Sequence, residues 1–390
     1  MSDHPTRERP APERPARRMA VADYLRVESV GGAVLLLAAA LALLCANTPL
    51  RGAYHALTHA RVPLLRLDVA GFAAEGLLSV FFFVAGLEVK RELVTGELRH
   101  LRNAALPVVA AAAGMVAPAL VFLLVAWGAP GAGRGWTVPV ATDIAFALGV
   151  LAFAGTRYPA SLRVLLLSLA VVDDLGAIAL IALLFAHGVR PLALLGCLAV
   201  LALYAAAQRR GWTAPYAVLP LALLAWLLAH AGGVHATVAA VGLALLTPVE
   251  RGERLERLLQ PWSAGVVVPV FAFTAAGLPL DAAGLRAALT DRIAVAVFAG
   301  LVLGKLAGIA GGTALATRLR VAARPAGVTA YDTVCLGALG GVGFTVSLLL
   351  ADLAFTGSRA EHAKTGVLAA SVTAGLLAAL LLRVRRHEPR

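Results

Sequence analysis

Ala170-Val171-Val172-Asp173-Asp174-Leu175-Gly176-Ala177 sets two adjacent carboxylates near the middle of an apolar stretch running from about Pro159 to Ala186. That stretch is long enough to cross a bilayer, which takes about 20 apolar residues. A charged side chain at such depth costs roughly 2.5–3.5 kcal/mol on insertion scales, and two in succession need a reason. Intramembrane acids mark ion or proton pathways. Neighbours on a helix point about 100° apart, so one of the pair can face a water-filled funnel while the other reaches toward another span. Carboxylates this close titrate as one coupled unit, which suits a site that takes either a proton or a cation. A pair tied into a static hydrogen-bond network is the structural alternative.

The whole chain fits a membrane setting. Its 390 residues are 60% hydrophobic and only 14% charged, with a mean hydropathy of +0.84. Soluble domains are about 25% charged. The formal charge of +12 would suggest nucleic acid in a soluble protein. Here Lys and Arg crowding the cytoplasmic loops explains it, and no nucleic-acid partner is expected. Cys45, Cys197 and Cys335 follow no metal or disulfide spacing and read as small apolar filler.

Apolar runs predict twelve membrane-spanning helices, at about 31–46, 71–94, 105–126, 137–154, 159–186, 191–208, 213–230, 233–247, 263–279, 292–314, 328–350 and 365–383. The first reads as a retained signal anchor behind a disordered cytoplasmic tail over residues 1–29. A single domain then covers 30–385, and 386–390 form a second cytoplasmic tail. Residues 48–70 read as a short external hairpin, a segment that could pair between protomers of a homodimer. The stretch Glu253–Gln260 reads as a solvated interfacial helix. With the N-terminus inside and the spans alternating, 24 of the 34 Lys and Arg residues fall on the cytoplasmic side and nine outside, with Lys305 inside a span. Both termini are therefore expected in the cytoplasm.

Two spans look interrupted. In the fourth, Pro139 precedes Val140-Ala141-Thr142-Asp143-Ile144. In the eleventh, Gly337, Gly340, Gly341 and Gly343 cluster ahead of Phe344-Thr345 and suggest unwinding, although helix packing also uses glycine. The two broken helices hold matching places in three-helix groups at about 105–186 and 292–383, and the even number of spans between them inverts one group relative to the other. Paired broken helices in inverted repeats point to a binding site at the midplane.

Lys305, mid-way along the tenth span, needs an acidic partner or a run of carbonyls. Asp173 or Asp174 can supply the first, and helix C-termini at a break the second. Asp143 would offset the positive ends of the half-helices. Purely structural pairing is the other reading of Lys305. Glu88, Lys90, Arg91 and Glu92 end the second span, as an ordinary charged helix end or as the mouth of a cation funnel. His235, in Gly233-Val234-His235-Ala236-Thr237, is a pH reporter or a hydrogen-bonded structural histidine. Glu75 is a further intramembrane acid without an evident role.

The runs Ala141-Thr142-Asp143-Ile144-Ala145-Phe146-Ala147-Leu148-Gly149, Val172-Asp173-Asp174-Leu175-Gly176-Ala177 and Gly86-Leu87-Glu88-Val89-Lys90-Arg91-Glu92-Leu93 resemble bacterial NhaA-type sodium/proton antiporters. So do Gly233-Val234-His235-Ala236-Thr237 and Gly341-Val342-Gly343-Phe344-Thr345. The likeness runs in order over roughly residues 28–385. Paired broken helices characterise those same antiporters, so the pattern and the resemblance are not independent.

The resemblance implies twelve helices, with the fourth and eleventh crossing as broken chains. It implies electrogenic, alkaline-activated exchange of cytoplasmic Na⁺ or Li⁺ for external H⁺ across the inner membrane of a bacterium. By that likeness Asp173 and Asp174 bind the transported Na⁺, Asp143 and Thr142 complete the site, and Lys305 pairs with Asp173 and carries a transported proton. Glu88, His235 and Glu256 would belong to the pH-response region, with Glu92 beside them. Leu306 stands where the family often has Pro. Arg257 and Gln260 stand where it has histidines, and Glu75 where many members have Asp.

No cofactor is expected, and no Gly-rich Lys-Ser/Thr loop indicates ATP. A sodium-coupled organic-anion symporter of similar architecture is the competing transport reading. An intramembrane aspartyl protease is weaker: Tyr331-Asp332 is suggestive, but Gly341-Val342-Gly343-Phe344 has Phe where a second Asp is needed.

Overall fold

The structure is a computed structural model. It describes residues 16–62, 67–153, 159–186, 188–212, 214–279, 286 and 289–384. Within them the chain is helical apart from one two-stranded ladder.

Helix α1 spans Ala16–Ala46, so residues 16–29, expected to be a disordered tail, are helical. Past Pro15 the run holds three Ala and three Arg before Gly31, and no Gly or Pro interrupts it there. The remainder of the two expected tails, 1–15 and 386–390, lies outside the described residues. After a bend of 118°, α2 (Arg51–Thr58) leads into the ladder, where Arg61 pairs with Asp68 and Val62 with Leu67 in antiparallel register.

The bundle continues with α3 (Val69–Val94), α4 (Leu101–Val125), a broken element made of Ala132–Val140 and α5 (Ile144–Phe153), then α6 (Ala160–Leu184) and α7 (Pro191–Arg209). It proceeds through α8 (Pro215–Ala231), α9 (Ala236–Leu246), α10 (Val249–Ala275) and α11 (Arg292–Arg318). A second broken element, α12 (Ala330–Gly340) and α13 (Phe344–Ala354), precedes α14 (Ser358–Val384). Seven described helices are long and apolar enough to cross a membrane, and ten spans result if each bent pair counts as one. Two shorter apolar helices, α8 and α9, accompany them.

Glu253–Gln260, expected as a solvated interfacial helix, is helical and does not stand alone. It belongs to α10, which runs on through a π-helical turn at Ser263–Val267. The turn absorbs the backbone mismatch near Pro261. One face of this segment is exposed, with Arg254, Arg257 and Leu258 on it; the other buries Glu256, only 3% exposed, which Arg91 neutralises.

The tightest packing joins α11 to α4, and glycine spacing makes it. Gly300, Gly304, Gly308 and Gly312 recur every four residues. A Cβ at Gly304 would meet Pro118 Cα at 2.4 Å, at Gly308 the Ala113 carbonyl at 2.4 Å, and at Gly312 the Ala113 side chain at 2.5 Å. Small residues let the two backbones approach where hydrocarbon offers no hydrophobic drive. Lys305 follows directly on a π-helical turn, Gly300–Gly304, and is fully buried. The same closeness that seals the helix pair thus carries an ammonium into the interior.

Candidate ion-binding site

The two broken elements meet at their breaks. Ala141, Thr142 and Asp143 leave the helix on one side, and Gly341, Val342 and Gly343 on the other. The Asp143 N–H donates to the Val342 carbonyl at 2.6 Å, and the Thr142 hydroxyl donates to the Gly340 carbonyl at 2.9 Å. Asp143 Oδ1 accepts from Phe146 N–H at 2.9 Å. Its Oδ2 accepts from Thr345 N–H at 3.0 Å and from the Thr345 hydroxyl at 2.7 Å. One carboxylate therefore caps the positive ends of α5 and α13 together. Ser347 donates to the Val138 carbonyl at 2.8 Å, and Phe344 N–H donates to Ser371 at 3.1 Å. The two breaks thus exchange hydrogen bonds with each other, and α14 supplies Ser371 to the second, in line with the need to pair buried polar groups.

The four glycines of the second element divide by role. Gly337 and Gly340 remain inside α12 rather than unwinding it. A Cβ at Gly337 would lie 2.8 Å from the Leu306 carbonyl, so this residue serves close packing on α11. Gly341 and Gly343 form the break itself. Neither has a positive φ (−70° and −91°). Space decides there too, since a Cβ on Gly341 would sit 2.6 Å from the Leu301 carbonyl.

Beside the crossing, α6 presents Asp173 and Asp174, 1% and 5% exposed. Lys305 Nζ donates to Asp173 Oδ2 at 2.7 Å, so of the two acids open to Lys305 in the sequence the structure selects Asp173. The other Asp173 oxygen, Oδ1, is buried with no hydrogen-bond partner among the described residues. Asp174 makes no hydrogen bond or ion pair among them. It lies within electrostatic reach of Asp173, Glu88, Asp143 and Lys305. Free carboxylate oxygens at this depth are the hard donors an alkali cation takes, and one carboxylate not held by a donor can equally hold a proton.

The residues expected to respond to pH fall into three places. Glu88 and Glu256 are joined through Arg91, at 3.9 Å and 2.5 Å. Glu92 turns away and accepts from Glu97 N–H at 3.2 Å. His235 stands at the opposite end of α9 from this group and hydrogen-bonds Thr237 at 2.8 Å. Glu75 gains a partner that sequence reasoning missed: His230 Nδ1 is 2.6 Å away, and the His230 ring stacks on Trp226. Lys90 donates to the Leu245 carbonyl at 2.7 Å and to the Thr247 carbonyl, closing the C-terminus of α9.

The model of the family described as Na+/H+ antiporter 1 matches residues 22–382. The chain is 52% identical over 387 residues to an Na(+)/H(+) antiporter NhaA 1 of Saccharopolyspora erythraea, covering 96% of this chain and 94% of that protein. An Na(+)/H(+) antiporter NhaA 2 of Rhodococcus jostii is 51% identical over 391 residues, with 96% and 95% covered. An Na(+)/H(+) antiporter NhaA of Nocardia farcinica is 52% identical over 382 residues, with 94% and 92% covered.

The chain belongs to the Na+/H+ antiporter 1 family.

Membership makes it a multi-pass membrane transporter rather than an enzyme. Leu306 and Arg257, singled out in the sequence, have local structural readings. Leu306 lies in regular helix, and the irregularity precedes Lys305 as the π turn instead. Arg257 makes only a 4.0 Å pair with Glu253 on an exposed face.

Proposed function

We propose that this protein exchanges Na⁺, and Li⁺, for H⁺ at Asp173 and Asp174. The observation that carries the reading is the contrast within the doublet: Asp173 is half-engaged by Lys305, and Asp174 is buried with no hydrogen-bonding partner among the described residues. A bare buried carboxylate is costly, and it is relieved by either a proton or a cation. The two therefore compete. The names of the curated relatives favour exchange over sodium-coupled uptake of an organic anion.

In this reading a cation entering past Glu88 takes oxygens of Asp174 and the open oxygen of Asp173, while Thr142 and Asp143 complete the site. Its arrival displaces the Asp174 proton and weakens the hold of Asp173 on Lys305, which releases a second proton. Exchange is then electrogenic, and each net charge moved is worth about 2.3 kcal/mol per 100 mV. The crossing of the broken helices is the pivot for alternating access. The seven long helices, three bent pairs and two shorter helices are the twelve crossings, with inverted repeats at about 105–186 and 292–383. The domain covers 30–385 in a bacterial inner membrane with both termini in the cytoplasm, and the Arg61–Asp68 ladder offers a homodimer contact. Glu88, Arg91 and Glu256 form the pH-responsive group, with Glu92 and His235 outside it.

Asp174→Asn tests the assignment in everted vesicles lacking other antiporters. Sodium-induced dequenching of a pH dye should vanish, while expression and melting temperature stay at the wild-type value. Exchange at the wild-type rate would refute the site.

A further inference from the structure

A second polar site lies on the membrane face where α3 ends and α4 begins, away from Asp173 and Asp174. A cavity of about 940 Å³ opens between the first turns of α4 and α6 and the loop that follows α11. Arg102, Arg320 and Arg324 line it, each exposed and none in an ion pair among the described residues. The one carboxylate in its wall, Glu97, accepts from Asn103 at 2.8 Å.

Two helix N-termini add to this positive field. Neither α4 nor α6 has a side-chain cap on its first-turn N–H groups, and both first turns line the cavity. Uncapped N–H groups with the positive end of the helix dipole favour an anion. Arg320 is held in the left-handed region, at φ 54°, alone among the described non-glycine residues. Backbone strain of that kind collects at working positions.

Deeper in, the wall carries Ser168, 4% exposed, whose hydroxyl has no hydrogen-bond partner among the described residues. Two turns of α6 separate it from Ser161 at the mouth, about 10 Å. Leu106 and Leu165 make the wall between them apolar.

We infer that this cavity binds a phosphate group, with the arginines at its mouth taking the charge and Ser168 a neutral oxygen of the same ligand. Guanidinium groups match phosphate in a planar, bidentate way. Three of them around one opening repel one another until an anion arrives, and they repel Na⁺, so the cavity is no cation entrance. The phosphate comes either from an anionic phospholipid, whose chain fits the apolar wall, or from the aqueous phase. Once bound it ties the end of the Asp173 helix to the loop after the Lys305 helix.

The full-length protein, delipidated in detergent and held in choline salts, is melted against rising inorganic phosphate, dioleoylphosphatidylglycerol or dioleoylphosphatidylcholine. A saturable rise in melting temperature with phosphatidylglycerol, absent with phosphatidylcholine, identifies a lipid source; a rise with inorganic phosphate identifies a free anion. In R320Q/R324Q the apparent affinity should fall at least about tenfold, as loss of a charge-assisted contact predicts. R209Q/R210Q, which removes an equal charge elsewhere, should leave it unchanged. If R320Q/R324Q does not fold, R102Q and S168A are read in the same assay, with S168A several-fold weaker. Protection by neither anion, or equal weakening in R209Q/R210Q, overturns the site.

Discussion

The crossing of the broken helices and the acidic doublet beside it are both buried, polar and built around aspartate, yet their bonding is opposite. At the crossing, Asp143 uses both oxygens, taking three donors from two helix ends. In the doublet, one Asp173 oxygen is held by Lys305, the other is buried without a partner, and Asp174 has none among the described residues. A satisfied network rigidifies, whereas an unsatisfied buried carboxylate stores a demand for a ligand. The difference separates the part of the membrane core that holds the fold from the part available to bind.

Lys305→Ala should produce the largest change. Removing one partner of a buried pair leaves an uncompensated charge and costs about 3–5 kcal/mol, to be read as a lower melting temperature in detergent. An unshifted melting temperature would mean that Asp173 is balanced by something other than Lys305.

Asp143→Asn comes next. An amide keeps one acceptor oxygen where three donors now converge, so about 1–3 kcal/mol of stability should be lost. The same exchange at Asp174 removes no hydrogen bond and should leave stability alone. If Asp174→Asn melts lower than Asp143→Asn, the contrast between the two regions is wrong.

The smallest effect sharpens the crossing itself. Thr345→Val deletes the hydroxyl donor to Asp143 and keeps the Thr345 N–H. It should cost about 1 kcal/mol of stability, with exchange retained, as a melting curve and a vesicle assay on the same preparation would record. Complete loss of exchange would put Thr345 in the ion site instead.

Much of this was legible along the chain, because hydrocarbon punishes every charge that lacks a purpose. Asp173, Asp174, Asp143 and Lys305 announce themselves as ionisable groups in apolar runs, and the two breaks by Pro139 and by the cluster Gly337, Gly340, Gly341 and Gly343, of which only the last two leave the helix. Less visible was the glycine stripe Gly300–Gly312, although its four-residue spacing was there to be counted. His230 as the partner of Glu75, and Arg91 as the link between Glu88 and Glu256, could not be read at all. Those pairs join residues some 155 and 165 positions apart.

The sequence alone determined that the chain is a helical membrane protein, where its helices break and which acids lie at depth, since each follows from local transfer energies and backbone chemistry. Only the tertiary structure decided which acid Lys305 neutralises and which donors Asp143 collects. Those choices rest on how closely α4, α6 and α11 and the two breaks approach one another, a distance set by packing between helices and not by any one segment.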